Sequence, residues 1–302
     1  MKAASGKYIA FCDSDDKYLP FKLELQVSFM EKNPEVGMVF TEFSGEYKGG
    51  RVDEWHMHNY HEVYDRKGWN YDDLYEMKGE FLCNGINKST TYYIGNIFKY
   101  TLIDSCVPSN TILFPKQILE TVGYQNEKYR FAQEYEFVVR ICKHFRIAFL
   151  NIPTYVLFHH KNQATDVIHS KIANLNNRQN VLDIIEGGQA FQDVVVNLGY
   201  EDKDFYQKNR KDIDLRLGEI YYIIGELWLK HGDIEKSKEY FQKSISFAPG
   251  MIRYRIYLFL TIMPGLARRC TMLIIHKISK WFYLLTRKGL WGFLKNITRF
   301  YK

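Results

Sequence analysis

A short apolar run that ends on a knot of carboxylates constrains this chain most. Lys7 to Cys12 reads KYIAFC, begins just after Gly6, and passes directly into Asp13-Ser14-Asp15-Asp16. Apolar and aromatic residues bounded by turn formers predict a buried strand. Three acids in four positions at its C-terminal end repel one another, so they must be solvated or neutralised by a cation. Hard oxygen donors suit Mg²⁺ or Mn²⁺, which keep water and bridge to phosphate oxygens. In open α/β sheets, ligands gather beyond the carboxyl ends of strands. Taken alone, the cluster fits a solvated turn equally well, with Asp16 loosely capping the helix that follows.

Downstream residues extend the pattern. Pro20 sits where a helix starts, and Leu23, Val27 and Met30 recur at helical spacing until Asn33-Pro34 ends it. Val36 to Phe43 reads as a strand, Ile97 to Ile103 as a helix, and Thr111 to Phe114 as a short strand. Lys116 to Val122 reads as a helix closed by Gly123. Gln133 to Phe145 places Phe137, Val138, Ile141 and Cys142 on one helical face, and Ile147 to Phe158 is strand-like. Gly45 to about Glu80 is polar, aromatic and irregular and yields no element. Strands alternating with helices over the first 160 residues predict an α/β layer fold.

Two blocks carry a family resemblance. Ala4-Ser5-Gly6-Lys7-Tyr8-Ile9-Ala10-Phe11-Cys12-Asp13-Ser14-Asp15-Asp16, with Leu19-Pro20, Lys22-Leu23 and Gln26, resembles the signature of family 2 glycosyltransferases. Gly123-Tyr124-Gln125-Asn126-Glu127, followed by Gln133-Glu134-Tyr135-Glu136-Phe137 and Arg140, resembles that family's second block. The resemblance covers roughly residues 1 to 165 and implies a GT-A type, Rossmann-like domain. It implies that Asp15 is the main metal ligand, that Asp13 contacts the ribose or a metal-bound water, and that Asp16 plays a lesser part. The bound ion would be Mg²⁺ or Mn²⁺. The catalytic base would be Glu134, where the family more often has Asp, so the carboxylate reaches one methylene further. Read by itself, Glu134 is an acid in a helix's first turn, favoured by the dipole. His159-His160 falls where family members often carry a histidine that returns toward the diphosphate, which makes His160 a cofactor-binding candidate. His56, His58 and His61 form H-x-H-x-x-H, but no helical or strand register aims them at one ion, so no metal role is assigned.

In the resembled family, strands that hold the nucleotide precede the Asp-x-Asp. Here Met1-Lys2-Ala3-Ala4-Ser5-Gly6 looks like the end of the helix just before it. The resemblance therefore implies a domain lacking its N-terminal nucleotide-binding strands, with the Lys7–Cys12 strand left at a sheet edge.

From Lys171 onward the periodicity is mostly helical. Tyr221, Ile224, Gly225, Trp228, Gly232, Ser237, Phe241, Ser244 and Pro249 fit one tetratricopeptide-like unit of roughly 34 residues, at 218–251. A single copy must pack on neighbouring helices, and a structural helical cap accounts for it as well. The net charge of +6 is uneven. Eleven Lys and Arg and no acid follow Gly250, leaving −5 before it. The basic residues interleave with Trp281, Phe282, Leu284, Leu285, Leu290, Trp291, Phe293 and Leu294, which suits an interfacial helix at a membrane surface rather than nucleic acid. Beyond Met251 the longest uncharged run, Ile256 to Ala267, is shorter than the roughly 20 residues a span needs. Five scattered cysteines without C-x-x-C fit a reducing compartment.

The expected organisation is a partial GT-A domain at 1–165, a helical region at 166–250 and a basic amphipathic tail at 251–302. The expected activity is inverting, metal-dependent transfer of sugar from a nucleotide-sugar donor to a glycan or lipid-linked acceptor. The expected location is the cytoplasm, peripheral on the inner face of the membrane. The rival is a non-catalytic transferase remnant acting as an interaction or membrane-docking scaffold.

Overall fold

The computed structural model describes residues 1–47, 49–61, 63–129, 132–159 and 178–263. His160 and the tail from residue 264 lie outside them. The described residues divide into two compact units, 1–220 and a second that begins at Tyr221.

The first unit is built on one mixed sheet. Its centre is the parallel pair β3 (Val36–Tyr47) and β8 (Arg146–His159), paired from Val36 opposite Arg146 to Tyr47 opposite His159 with register shifts between Val36 and Ser44. Both strands are long β-branched and aromatic runs buried over most of their length, as parallel strands require. On one side follow β6 (Lys88–Gly95) and β5 (Met77–Cys83), joined as a hairpin. On the other side β7 (Leu113–Pro115) leads to β1 (Tyr8–Ala10), both antiparallel. Two-residue strands β2 (Lys17–Tyr18) and β4 (Val52–Asp53) add to β8 and β3.

Helices cover the sheet on both faces. Helix α1 (Lys22–Lys32) sends Leu25, Phe29 and Met30 into a cluster with Val39, Phe81, Ile94, Leu113 and Leu150. Leu113 faces α1, so its neighbour Phe114 faces the opposite layer. There Phe114 meets Phe11 and Phe137, the latter on a helix at Gln133–His144. A mixed α/β sheet followed by helices is the expected fold class.

Three details differ from the sequence reading. The buried face of α1 is Lys22, Leu25, Gln26, Phe29 and Met30, while Leu23 is exposed. Lys22 Nζ and Gln26 Nε2 both donate to the Thr111 carbonyl at 2.8 Å, so two polar residues are buried for hydrogen bonding and rotate the helix. Of the β1 run only Ile9 is buried, because among the described residues β1 is paired on one side only. The unassigned stretch 45–80 holds the end of β3, β4, the start of β5 and three helices of four or five residues (Met57–Tyr60, Val63–Lys67, Tyr71–Leu74). Helices that short show no periodicity. Glu42 ties the segment down, accepting from the Phe43 and Met57 amides at 2.9 and 2.8 Å.

Within the second unit, the chain up to His231, a helix at Ile234–Phe247 and another at Ile252–Ile262 enclose Tyr222, Leu229, Phe241, Tyr254 and Leu260. Gly232 turns at φ +95°, and the Asp233 side chain caps the next helix through the Lys236 amide. Ser237 Oγ donates to the Gly225 carbonyl at 2.8 Å, and a Cβ on Gly225 would lie 2.9 Å from the Phe241 ring. Among the described residues no helix is long and apolar enough to cross a membrane.

Candidate active site

Beyond Ala10 the chain leaves β1 and turns, with the Asp16 amide donating to the Asp13 carbonyl. Asp16 fixes this loop to β8. Its Oδ2 accepts from the Tyr155 hydroxyl at 2.6 Å and its Oδ1 from the Phe158 amide at 2.9 Å. With both oxygens engaged, Asp16 is the anchor that holds Asp13 and Asp15 at the sheet's edge. Sequence spacing gave no sign of Tyr155, some 140 positions away. The bond to Asp16 and burial push the Tyr155 phenol well up, burial being the larger cause.

Asp15 lies exposed on the turn. Asp13 is open on one side, while protein atoms crowd the other. Its carboxyl is pushed up to about 6, first by burial, then by the negative charges of Glu134, Asp16 and Asp15. Glu134 is the first of these charges, so the fold brings two acids 121 positions apart into one electrostatic neighbourhood.

Glu134 sits in the first turn of the helix Gln133–His144, the element just before β8, and is exposed. Its Oε2 accepts from the Ser109 hydroxyl at 2.6 Å. Ala132, the residue before the helix, adopts φ +59°, a left-handed conformation unusual for a non-glycine residue. Such a residue is retained only where its surroundings hold it. Two positions on, Glu136 faces inward and takes a bidentate pair from Arg140, Nε to Oε1 at 2.6 Å and Nη2 to Oε2 at 2.8 Å. Arg140 also donates to the carbonyls of Val122 and Tyr124. The second motif thus splits into a structural clamp, Glu136–Arg140, and an exposed acid, Glu134.

The donor set suits a hard divalent cation in one respect and not in another. Uncompensated negative charge around Asp13 is what such an ion would relieve. Among the described residues, however, no group of three or more His, Cys, Asp or Glu converges on a point. Asp13 and Asp15 would supply two oxygens and leave the remaining positions to water and phosphate, the habit of Mg²⁺. His160 lies outside the described residues. His159 turns toward β3, where its Nε2 lies 3.1 Å from His56 Nε2 and its ring stacks on Tyr47. His58 pairs with Asp65 and stacks on Tyr64, and His61 is buried, so the three histidines of H-x-H-x-x-H do not converge.

Residues 1–88 match the model of glycosyl transferase family 2. A 33-residue stretch is 64% identical to an uncharacterized glycosyltransferase of Rickettsia bellii (strain RML369-C), covering 11% of this chain and 5% of that protein. The carboxylate loop, α1 and the strands through β5 are thus the part of this chain that is similar to glycosyl transferase family 2, and they lie on a mixed α/β sheet followed by helices.

Proposed function

We propose that this chain transfers a sugar from a nucleotide-diphosphate donor to an acceptor hydroxyl with inversion, Glu134 acting as the base. The observation that carries the reading is the shared negative field of Asp13 and Glu134. The acceptor oxygen attacks the anomeric carbon, Glu134 takes the acceptor's proton, and the bond from that carbon to the diphosphate oxygen breaks with its electron pair leaving on the diphosphate. A Mg²⁺ or Mn²⁺ ion held by Asp13 and Asp15 would offset the charge gathering on the leaving diphosphate. Asp16 keeps both ligands in place through β8, and Ser109 orients the Glu134 carboxylate. The same proposal takes a glycan or lipid-linked acceptor, a basic tail at 251–302 on a membrane surface from the cytoplasmic side, and domain limits near residues 165 and 250.

The test measures Mn²⁺ bound to the chain by electron paramagnetic resonance, with and without a nucleoside diphosphate, and diphosphate release from a panel of nucleotide sugars. Asp15→Ala is expected to abolish Mn²⁺ binding. Glu134→Gln is expected to keep it while turnover falls by about 10² or more. Mn²⁺ occupancy indifferent to Asp13 and Asp15 removes the metal assignment, and undiminished turnover in Glu134→Gln removes the base.

A further inference from the structure

We propose that His56 and His159 form a second cation site, for a borderline divalent ion of the zinc class, independent of the transferase reading. The two Nε2 atoms lie 3.1 Å apart. His56 Nδ1 lies 2.9 Å from Asp53 Oδ2, and Asn59 donates to the same oxygen. A carboxylate accepts only, so His56 carries its proton on Nδ1 and presents a lone pair at Nε2. That lone pair faces the Nε2 of His159. Two imidazole nitrogens at this separation are held together by a shared proton or by a cation. With metal–nitrogen bonds of about 2.0–2.1 Å, a gap of 3.1 Å subtends about 100° at the ion, close to tetrahedral.

The surroundings are those of a positioned ligand pair. A carboxylate on the far nitrogen of a ligating histidine fixes its tautomer and raises its basicity. His56 is buried, with Phe43 edge-on at 5.3 Å. It fills the space beside Gly45, where a Cβ would come within 3.0 Å of three ring atoms. His159 is stacked on Tyr47 with ring centroids 4.2 Å apart and 8° between planes. Tyr47 and His159 are register partners at the C-terminal ends of the parallel pair β3 and β8. His159 therefore sits on a strand, and His56, in the loop just before the helix Met57–Tyr60, is fixed by burial and by its bond to Asp53, so neither is a surface histidine awaiting a rotamer.

Imidazole selects zinc, cobalt, nickel or copper over magnesium and manganese, which favour oxygen. Among the described residues no third protein ligand joins the pair. Two coordination positions then remain for water or for an anionic oxygen ligand, such as a phosphate or carboxylate. The residue before His159 is Phe158, whose amide holds Asp16. A ligand bound through this ion would lie at the strand end that anchors the carboxylate loop.

The test uses the full chain with any affinity tag removed, stripped with chelator and dialysed against micromolar Zn²⁺ in millimolar Mg²⁺. Retained zinc is measured by mass spectrometry, and Co²⁺ is titrated for its absorbance. Expected are one equivalent of zinc in the wild type, loss of at least tenfold in affinity in His159→Ala, and a loss of about 10–100-fold in Asp53→Asn. Asp15→Ala is expected to leave zinc binding unchanged, which separates this site from the carboxylate loop. His159 is only half-buried, so its variant keeps the test independent of folding failure in the buried His56. Zinc retained equally by wild type and His159→Ala, or by neither, overturns the site and leaves a proton-sharing histidine pair.

Discussion

Replacing Asp13 by Asn should stabilise the protein, and only above a defined pH. The folded protein raises this carboxyl from 3.8 to about 6. It therefore holds the proton more tightly than the unfolded chain does. Between pH 4 and pH 6 the folded state binds more protons, so stability falls as pH rises, and the full cost is present above pH 6. At 1.36 kcal/mol per pH unit the gap corresponds to about 3 kcal/mol. The carboxylate is open to water on one side, and screening reduces this to about 1 kcal/mol. Asn has the shape of the neutral carboxyl without its charge. At pH 7.5 in chelator, Asp13→Asn should melt about 2–4 °C above wild type. At pH 4 the two should melt together. Millimolar Mn²⁺ should raise the wild type toward the variant at pH 7.5, because the ion supplies the missing positive charge. An Asp13→Asn protein no more stable than wild type at pH 7.5, or equally displaced at both pH values, would refute the repulsion argument.

Three further outcomes follow from the packing. Burial lowers the Lys22 ammonium to about 7. The unfolded chain thus binds more protons between pH 7 and about 10.5, and this residue's contribution to stability rises with pH there. Lys22→Met should be more stable than wild type at pH 6 by on the order of a few kcal/mol, with an advantage that shrinks by pH 9.5 in urea titrations. A pH-independent difference would show that Lys22 stays protonated in the folded protein over that whole range, refuting the lowered pKa. Gly37→Ala would put a Cβ 2.3 Å from that of Phe145, and should lower stability by about 1–3 kcal/mol in the same assay; an unchanged midpoint would mean that Phe145 yields freely. In the second unit, Ser237→Ala removes the buried bond to the Gly225 carbonyl and should cost about 0.5–1.5 kcal/mol, read as a shift in the melting of 221–263 by hydrogen exchange.

Local chemistry was legible where neighbours in sequence act together. The strand–acid–proline–helix series around Lys7 to Met30, the glycine that ends the helix at Val122, and the alternation of strand and helix all follow from residues a few positions apart. So does the acid in the first turn at Glu134. What periodicity could not resolve was the face of a helix that buries Lys22 and Gln26. Their partner, the Thr111 carbonyl, lies 85 or more positions away. The hairpin β5–β6 and the short helices after β4 were hidden for a related reason: they are shaped by packing on β3 and β8, not by a pattern of their own.

The sequence by itself determined that carboxylates would stand at the end of an apolar strand in an α/β sheet. The tertiary structure alone decided what each one does. It turned Asp16 away to Tyr155 and Phe158, set Asp13 within the field of Glu134, locked Glu136 to Arg140, and carried His159 to His56 instead of leaving it beside the acids. Spacing along the chain fixes which residues share a strand or a helix face. Only the pairing of β3 with β8, and the loops that this pairing brings to one edge, sets the distances on which charge and coordination depend.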